Sequence, residues 1–146
     1  MDKSKILDVL KTKLAEKIQK FENLIESTRA SNNDTKSSMG DKYETGREML
    51  QQEINNLQRQ LNEAMNQQAV LQKINTDACT KVQNGALVKT DRGLFYISAS
   101  VGEIICDNQK IMTVSAESPL SKAMLGLSKG QSFSLNNSSQ IIKDLW

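Results

Sequence analysis

Apolar residues in the first part of the chain recur at alternating steps of three and four. This spacing places them on one side of an α-helix, as in the seam of a coiled coil. The seam positions are Leu7, Leu10, Leu14, Lys17, Phe21 and Leu24. Lys17 is their one charged interruption, and Ile6, Ile18 and Ile25 widen the apolar side. The pattern therefore predicts a long amphipathic helix.

The same spacing returns after a polar stretch at residues 31–44. Its positions are Leu50, Ile54, Leu57, Leu61, Ala64, Gln68 and Leu71. No glycine or proline lies between Arg47 and Asp77, so nothing there interrupts a helix. Two helices joined by about a dozen residues bury their apolar sides most simply by folding back on each other. We therefore predict an antiparallel coiled-coil hairpin at residues 1–76 with its tip at about 31–44, and pairing between chains is the alternative.

The pattern changes near residue 76, where glycines and short β-branched and aromatic runs replace the helical spacing. The predicted strands are residues 86–89, 94–98, 104–106, 111–114, 132–135 and 140–145. Before the last two strands, Ser118 and Pro119 suit the N-cap and the first position of a short helix. The predicted fold class is α+β: the helical hairpin, a linker at 77–84, and a small antiparallel sheet with one short helix at 85–146.

Composition and charge narrow the function classes. The chain has 146 residues, of which 38% are hydrophobic and 25% charged, and its formal net charge is only +2. No strongly basic face is indicated, which argues against direct nucleic-acid binding through phosphate contacts. No apolar run is long enough to span a bilayer, and Asp8 interrupts the apolar stretch near the amino terminus, so no leader is indicated. These features predict a cytoplasmic protein without a membrane partner.

Cysteine and histidine usage limits the possible chemistry. The two cysteines, Cys79 and Cys106, lie far apart in the chain, and there is no histidine. Zinc sites of the Cys/His type and catalysis by a histidine acid or base are therefore excluded. We expect both cysteines to be buried free thiols.

Residues 118–126, SPLSKAMLG, followed by Lys129 and Gly130, resemble a signature in the carboxy-terminal domain of bacterial Gre-type (GreA/GreB-like) transcription elongation factors. The hairpin is similar to the amino-terminal coiled coil of these factors, where a tyrosine after the tip precedes a basic and an acidic residue. Tyr43, Arg47 and Glu48 match that second pattern. The resemblance covers the architecture of nearly the whole chain, and these two patches match it residue by residue.

The resemblance implies an FKBP-like domain at residues 85–146 that docks on bacterial RNA polymerase through Ser118, Pro119 and Lys122. It also implies that the coiled coil enters the secondary channel of the polymerase, where its tip approaches nascent RNA and DNA. The polymerase would carry out any transcript cleavage, so the chain is not expected to be an enzyme. We expect a monomer that binds no cofactor alone, with any Mg²⁺ at the tip shared with the polymerase active site.

The tip departs from the Gre pattern at the acids that assist cleavage. Gre factors have acids seven and four positions before the tyrosine, where this chain has Lys36 and Met39. Asp34, Asp41 and Glu44 remain near the tip, and their carboxylates are suitable oxygen ligands for a weakly held second Mg²⁺. Capping and helix-dipole stabilisation are the alternative roles of these acids. Cleavage stimulation and simple occupation of the channel both stay open.

Two alternatives belong to other classes. The first is a coiled-coil oligomerisation or adaptor protein with no polymerase role, in which the heptads pair between chains. The second is a prolyl isomerase, suggested only by the FKBP-like fold. It is disfavoured because three Phe, two Tyr and one Trp in the whole chain leave little to line an aromatic pocket.

Overall fold

The computed structural model describes the backbone of residues 1–36 and 44–146 and the side chains of residues 1–31 and 46–146. Its elements are α1 (Lys3–Lys36), α2 (Glu44–Lys73), β1 (Leu87–Thr90), β2 (Gly93–Ser98), β3 (Gly102–Cys106), β4 (Gln109–Ser115), α3 (Pro119–Met124), β5 (Ser132–Leu135) and β6 (Ser138–Leu145). The predicted α+β fold class is confirmed. Two compact units divide the chain: residues 13–66, here the hairpin unit, and residues 1–12 with 67–146, here the sheet unit. No helix in the described ranges has the length and apolar character needed to cross a membrane.

In the hairpin unit, α1 and α2 pack against each other through an apolar cluster. Its buried members are Ile25, Ile54 and Leu61, and Ile18, Phe21 and Leu57 pack against them partly buried. Members come from both helices of the same chain, so the apolar sides contact each other within the chain. Every described position of the predicted α2 seam, from Leu50 to Leu71, is buried or half-buried.

The predicted seam of α1 is wrong at Lys17 and Leu24, whereas Phe21 is half-buried and packs against the hairpin cluster as predicted. Leu24 is 40% exposed and Lys17 is exposed, whereas Ile25 is 5% exposed and Ile18 is half-buried. A straight α-helix has 3.6 residues per turn, so a stripe that follows a strict 3.5-residue repeat drifts around the helix. The drift brings the neighbouring isoleucines, which widen the apolar side, to the contact face.

The sheet of the sheet unit has six strands in the order β3-β4-β2-β1-β6-β5. Four of its neighbouring pairs are antiparallel, but β2 and β4 are parallel, with Leu94 opposite Ile111 and Ile97 opposite Val114. The sheet is therefore mixed, and the prediction of an entirely antiparallel sheet is wrong. The chain leaves β2, forms β3 at the edge, and returns as β4 between the two. Since β4 is antiparallel to β3, it runs in the direction of β2.

Two-residue turns with left-handed backbone close two of the hairpins. Asp107 and Asn108 have φ of 52° and 62° between β3 and β4, and Asn136 and Asn137 have φ of 53° and 64° between β5 and β6. Positive φ at both central residues defines the type I′ turn, whose twist matches that of the flanking strands. Asn and Asp adopt this conformation more readily than other residues with a side chain.

One face of the sheet forms an apolar core with α3. The buried members of this core are Cys79, Val82, Ala86, Val88, Ile97, Met124, Phe133 and Ile142. Leu120, Ala123 and Leu127 pack against it from α3 and the residues that follow. On the opposite face, Tyr96 and Ile111 are also fully buried. Cys79 and Cys106 are buried and free, which confirms the expectation for both thiols.

Lys3 is a buried lysine at the beginning of α1, and its side chain is 4% exposed. Its Nζ donates to the backbone carbonyls of Asp77 at 2.6 Å, Gly85 at 2.9 Å and Trp146 at 3.2 Å, and lies 3.6 Å from Cys79 Sγ. One ammonium thus connects three segments of the sheet unit to α1.

Candidate docking site

The short helix α3 begins as its sequence predicts. Ser118 is the N-cap, with φ −67° and ψ 152°, and Pro119 occupies the first helical position. The Ser118 hydroxyl accepts a hydrogen bond from the Ser121 N–H at 3.1 Å. This bond satisfies one of the N–H groups that the start of a helix leaves without a partner, and proline adds none.

Three serines at spacings of three residues form a hydrogen-bonded network at this helix start. The Ser118 hydroxyl donates to Ser121 Oγ at 2.9 Å, and the Ser121 hydroxyl donates to the Ser115 carbonyl at 2.7 Å. The Ser118 N–H also donates to the Ser115 carbonyl, at 3.1 Å. The network joins the end of β4 to α3.

The other end of α3 is held by backbone hydrogen bonds. The Gly126 N–H donates to the Val82 carbonyl at 2.9 Å, and the Val82 N–H donates to the Leu127 carbonyl at 2.8 Å. Gly126 has φ +80°, a left-handed conformation in which a side chain is strained. The glycine of the SPLSKAMLG segment thus allows the turn by which the chain leaves α3.

The predicted docking residues lie close together in sequence at this helix and differ in exposure. Pro119 and Lys122 are exposed, whereas Ser118 is half-buried and occupied by the serine network. Leu125, the C-cap, is 65% exposed. The outward side of α3 therefore offers a proline ring, an ammonium and an isobutyl group. Their roles in binding stay a prediction.

Lys129, which belongs to the same sequence signature, has a partner within the sheet unit. Its Nζ lies 3.7 Å from an oxygen of the Asp144 carboxylate, and both side chains are substantially exposed. An exposed pair of this kind contributes little to stability.

The predicted tip acids cannot be placed in a site. Asp41 lies outside the described residues, and Asp34 and Glu44 have described backbone in α1 and α2 but no described side chains. Of the residues that match the pattern after the tip, Arg47 is half-buried and Glu48 exposed, while Tyr43 lies outside the described part. Elsewhere, the described side chains contain no group of three or more acidic, cysteine or histidine residues arranged to hold a metal ion.

Two residues of the sheet unit, both outside α3, have shifted pKa values. Burial raises the pKa of Tyr96 to about 12, with a smaller contribution from Cys79. The phenol oxygen is buried without a hydrogen-bond partner among the described residues. A hydrogen bond from Lys5 Nζ to Asp107 at 2.6 Å raises the pKa of Lys5. Neither group lies in α3, so neither changes the charge of the docking residues.

Sequence reasoning missed two residues of this site. Ser121 is 2% exposed, and its hydroxyl links Ser118 to Ser115. The recurrence of serine at 115, 118 and 121 was the available signal, because this spacing places a hydroxyl one turn after the N-cap. The second is Leu125, the residue directly after α3, whose side chain is 65% exposed.

The fold and site together define a class: an α+β protein with a long helical hairpin, a mixed sheet, and a short serine-capped helix that begins with proline. No protein-family model and no curated protein sequence matches the chain. It is similar to a structure of the transcription factor Gfh1, with 13% identity, 92% of each chain covered and a TM-score of 0.39. It is also similar to GreA factor homolog 1 (Gfh1) of Thermus thermophilus, with 15% identity, 93% of this chain and 94% of that chain covered, and a TM-score of 0.39. For Gfh1 of Thermus aquaticus the identity is 15%, the coverage 90% of both chains and the TM-score 0.35.

Proposed function

We propose that this chain is a Gre-like regulator of bacterial RNA polymerase. It docks through Ser118, Pro119 and Lys122, and its helical hairpin enters the secondary channel, so that it acts on the polymerase and is not itself an enzyme. The observation that carries the proposal is that the SPLSKAMLG segment, which resembles the Gre signature, forms a capped turn with Pro119 and Lys122 exposed.

The geometry of α3 suits a docking element. Its start is fixed by the Ser118 cap and its end by the hydrogen bonds between Gly126, Leu127 and Val82. A surface that is already rigid loses little conformational entropy when a partner binds. Proline adds an apolar surface with almost no side-chain freedom, and Lys122 adds a charge that favours an acidic partner.

The helical hairpin supports the second half of the proposal. Its helices contact each other through Ile25, Ile54 and Leu61 within one chain. A channel-entering arm needs this intramolecular packing, because a single helix would expose its apolar side. The same packing disfavours the adaptor alternative, which needs that apolar side for pairing between chains.

At the tip, we propose that Asp34, Asp41 and Glu44 approach the polymerase active site. There their carboxylates would add oxygen ligands to an Mg²⁺ ion that the polymerase holds. Because Lys36 and Met39 stand at the positions of the Gre acids, we expect stimulation of cleavage to be weak or absent and channel occupation to dominate.

Co-purification with bacterial RNA polymerase tests docking. The tagged chain should retain polymerase, and Pro119→Ala, Ser118→Ala and Lys122→Ala should each reduce the retained amount. Lys143→Ala, at an exposed lysine of β6, is the matched control and should bind as the unsubstituted chain does. Equal retention by all five chains would remove α3 from the interface, and no retention by any would end the polymerase proposal.

A transcript-cleavage assay on stalled elongation complexes tests the tip. Asp41→Lys with Glu44→Lys should abolish whatever cleavage the unsubstituted chain stimulates, whereas Glu53→Lys, at an exposed position of α2, should leave it unchanged. Cleavage that persists in the doubly substituted chain would exclude these two acids from the chemistry.

A further inference from the structure

Ser121 is a buried polar residue on a helix that otherwise turns apolar side chains inward. It is 2% exposed, and its neighbours in the chain, Leu120, Ala123 and Met124, belong to the apolar core or pack against it. A buried hydroxyl is costly unless it is hydrogen-bonded. Ser121 meets this requirement by donating to the Ser115 carbonyl at 2.7 Å and accepting from the Ser118 hydroxyl at 2.9 Å.

The hydroxyl of Ser118 has no proton left for a partner. A serine hydroxyl has one donor and two acceptor positions. The Ser118 hydroxyl donates its proton to Ser121 Oγ, and its oxygen accepts a hydrogen bond from the Ser121 N–H. Ser118 therefore fixes the backbone that carries Pro119 rather than donating a hydrogen bond to a bound protein.

We propose that Ser121 is a positioning residue of the docking site. Its hydroxyl orients the Ser118 side chain, which sets the backbone at Pro119 and so the direction in which the proline ring meets the partner. This inference rests on the proposed function, because the partner is RNA polymerase.

The test compares the polymerase affinity of the full chain with those of Ser121→Ala, Pro119→Ala and the double variant. Ser121→Ala removes two hydrogen bonds, and we expect it to weaken binding roughly three- to tenfold. Pro119→Ala should cost less affinity in the Ser121→Ala background than alone, because the proline is no longer held in the binding orientation. Ser134→Ala, at an exposed serine of β5, is the matched control and should change nothing.

Amide hydrogen exchange gives a second readout that does not depend on the polymerase. The N–H of residue 121 donates to Ser118 Oγ, and the Lys122 N–H donates to the Ser118 carbonyl at 3.0 Å. Both should exchange severalfold faster in Ser121→Ala at a temperature at which the protein is fully folded. A purely structural role would lower the unfolding temperature without weakening the binding of the folded protein.

The outcomes separate the two proposals. If the unsubstituted chain binds polymerase and Ser121→Ala binds equally well, positioning is overturned and docking survives. A loss of affinity with an undiminished cost of Pro119→Ala also overturns positioning, because Ser121 would then act independently of the proline. Failure of the unsubstituted chain to bind polymerase overturns both proposals.

Discussion

Lys3 places its ammonium among the main-chain oxygens of Asp77, Gly85 and Trp146. Lys3→Met keeps the apolar stem and removes the charge, so the carbonyls of Asp77, Gly85 and Trp146 lose their donor. Since a buried polar group without its partner costs about 1–3 kcal/mol, we expect a loss of unfolding free energy of this size. Urea unfolding measures it.

The control for this prediction is Lys11→Met, at an exposed position of the same helix. It should change the unfolding free energy by less than about 0.5 kcal/mol. If the two variants unfold at the same urea concentration, the ammonium at Lys3 contributes nothing specific.

Tyr96 gives a prediction for alkaline pH. Its pKa is raised from 10.0 to about 12 by burial and, to a smaller extent, by Cys79. Between these values the unfolded chain loses the phenol proton and the folded chain keeps it, so the free energy of unfolding falls as pH rises from 10 to 12. The stabilising contribution is complete below pH 10.

Ultraviolet absorbance of the phenol measures this pKa in a Tyr43→Phe variant, in which Tyr96 is the remaining tyrosine. The absorbance change should have its midpoint near pH 12 while the protein stays folded. A midpoint near pH 10 would contradict the burial argument.

At the scale of single residues, local rules predicted the helix start and missed what depends on contacts. Ser118 and Pro119 were readable because capping needs only neighbouring residues. Lys3 was not, since its partners include carbonyls far away in the chain whose positions the tertiary fold determines. Ser121 had a local signal in the serine spacing, but the capping rule does not assign a role to a serine one turn after the N-cap. Polarity alone would have assigned both side chains to solvent.

Among the elements, α1 offers a matched pair of substitutions. Ile25→Ala removes a buried member of the hairpin cluster and should lower the unfolding free energy by about 2–4 kcal/mol. Leu24→Ala removes a side chain that is 40% exposed and should cost less than about 1 kcal/mol. Chemical unfolding followed by helical circular dichroism measures both. If Leu24→Ala lowers the unfolding free energy more than Ile25→Ala does, Leu24 belongs to the contact face as the strict heptad repeat predicts.

The elements themselves were largely predictable, but their pairing was not. All six strands and three helices have a counterpart in the hydrophobic pattern, because periodicity of two or 3.6 residues is a local property. The parallel pairing of β2 with β4 follows from where β3 lies at the sheet edge. No local residue pattern specifies that a strand is inserted between two that precede it.

For the whole molecule, the cluster within the hairpin predicts a monomer. Ile25, Ile54 and Leu61 are already buried against each other inside one chain. Pairing between chains would therefore bury no additional apolar surface at these positions. Sedimentation equilibrium should give 16.3 kDa at every concentration tested. An average mass that rises with concentration would favour the adaptor alternative.

The contacts of Lys3 also determine which fragments of this protein can keep the sheet unit intact. A fragment that begins at residue 77 lacks the ammonium that joins Asp77, Gly85 and Trp146, along with the remainder of residues 1–12. Deleting residues 13–66 and joining residue 12 to residue 67 through a flexible glycine-serine tether would keep them. On the proposed function, this shortened chain would bind RNA polymerase through α3 without placing a helical hairpin in the secondary channel, and would act as a competitive antagonist of the intact protein.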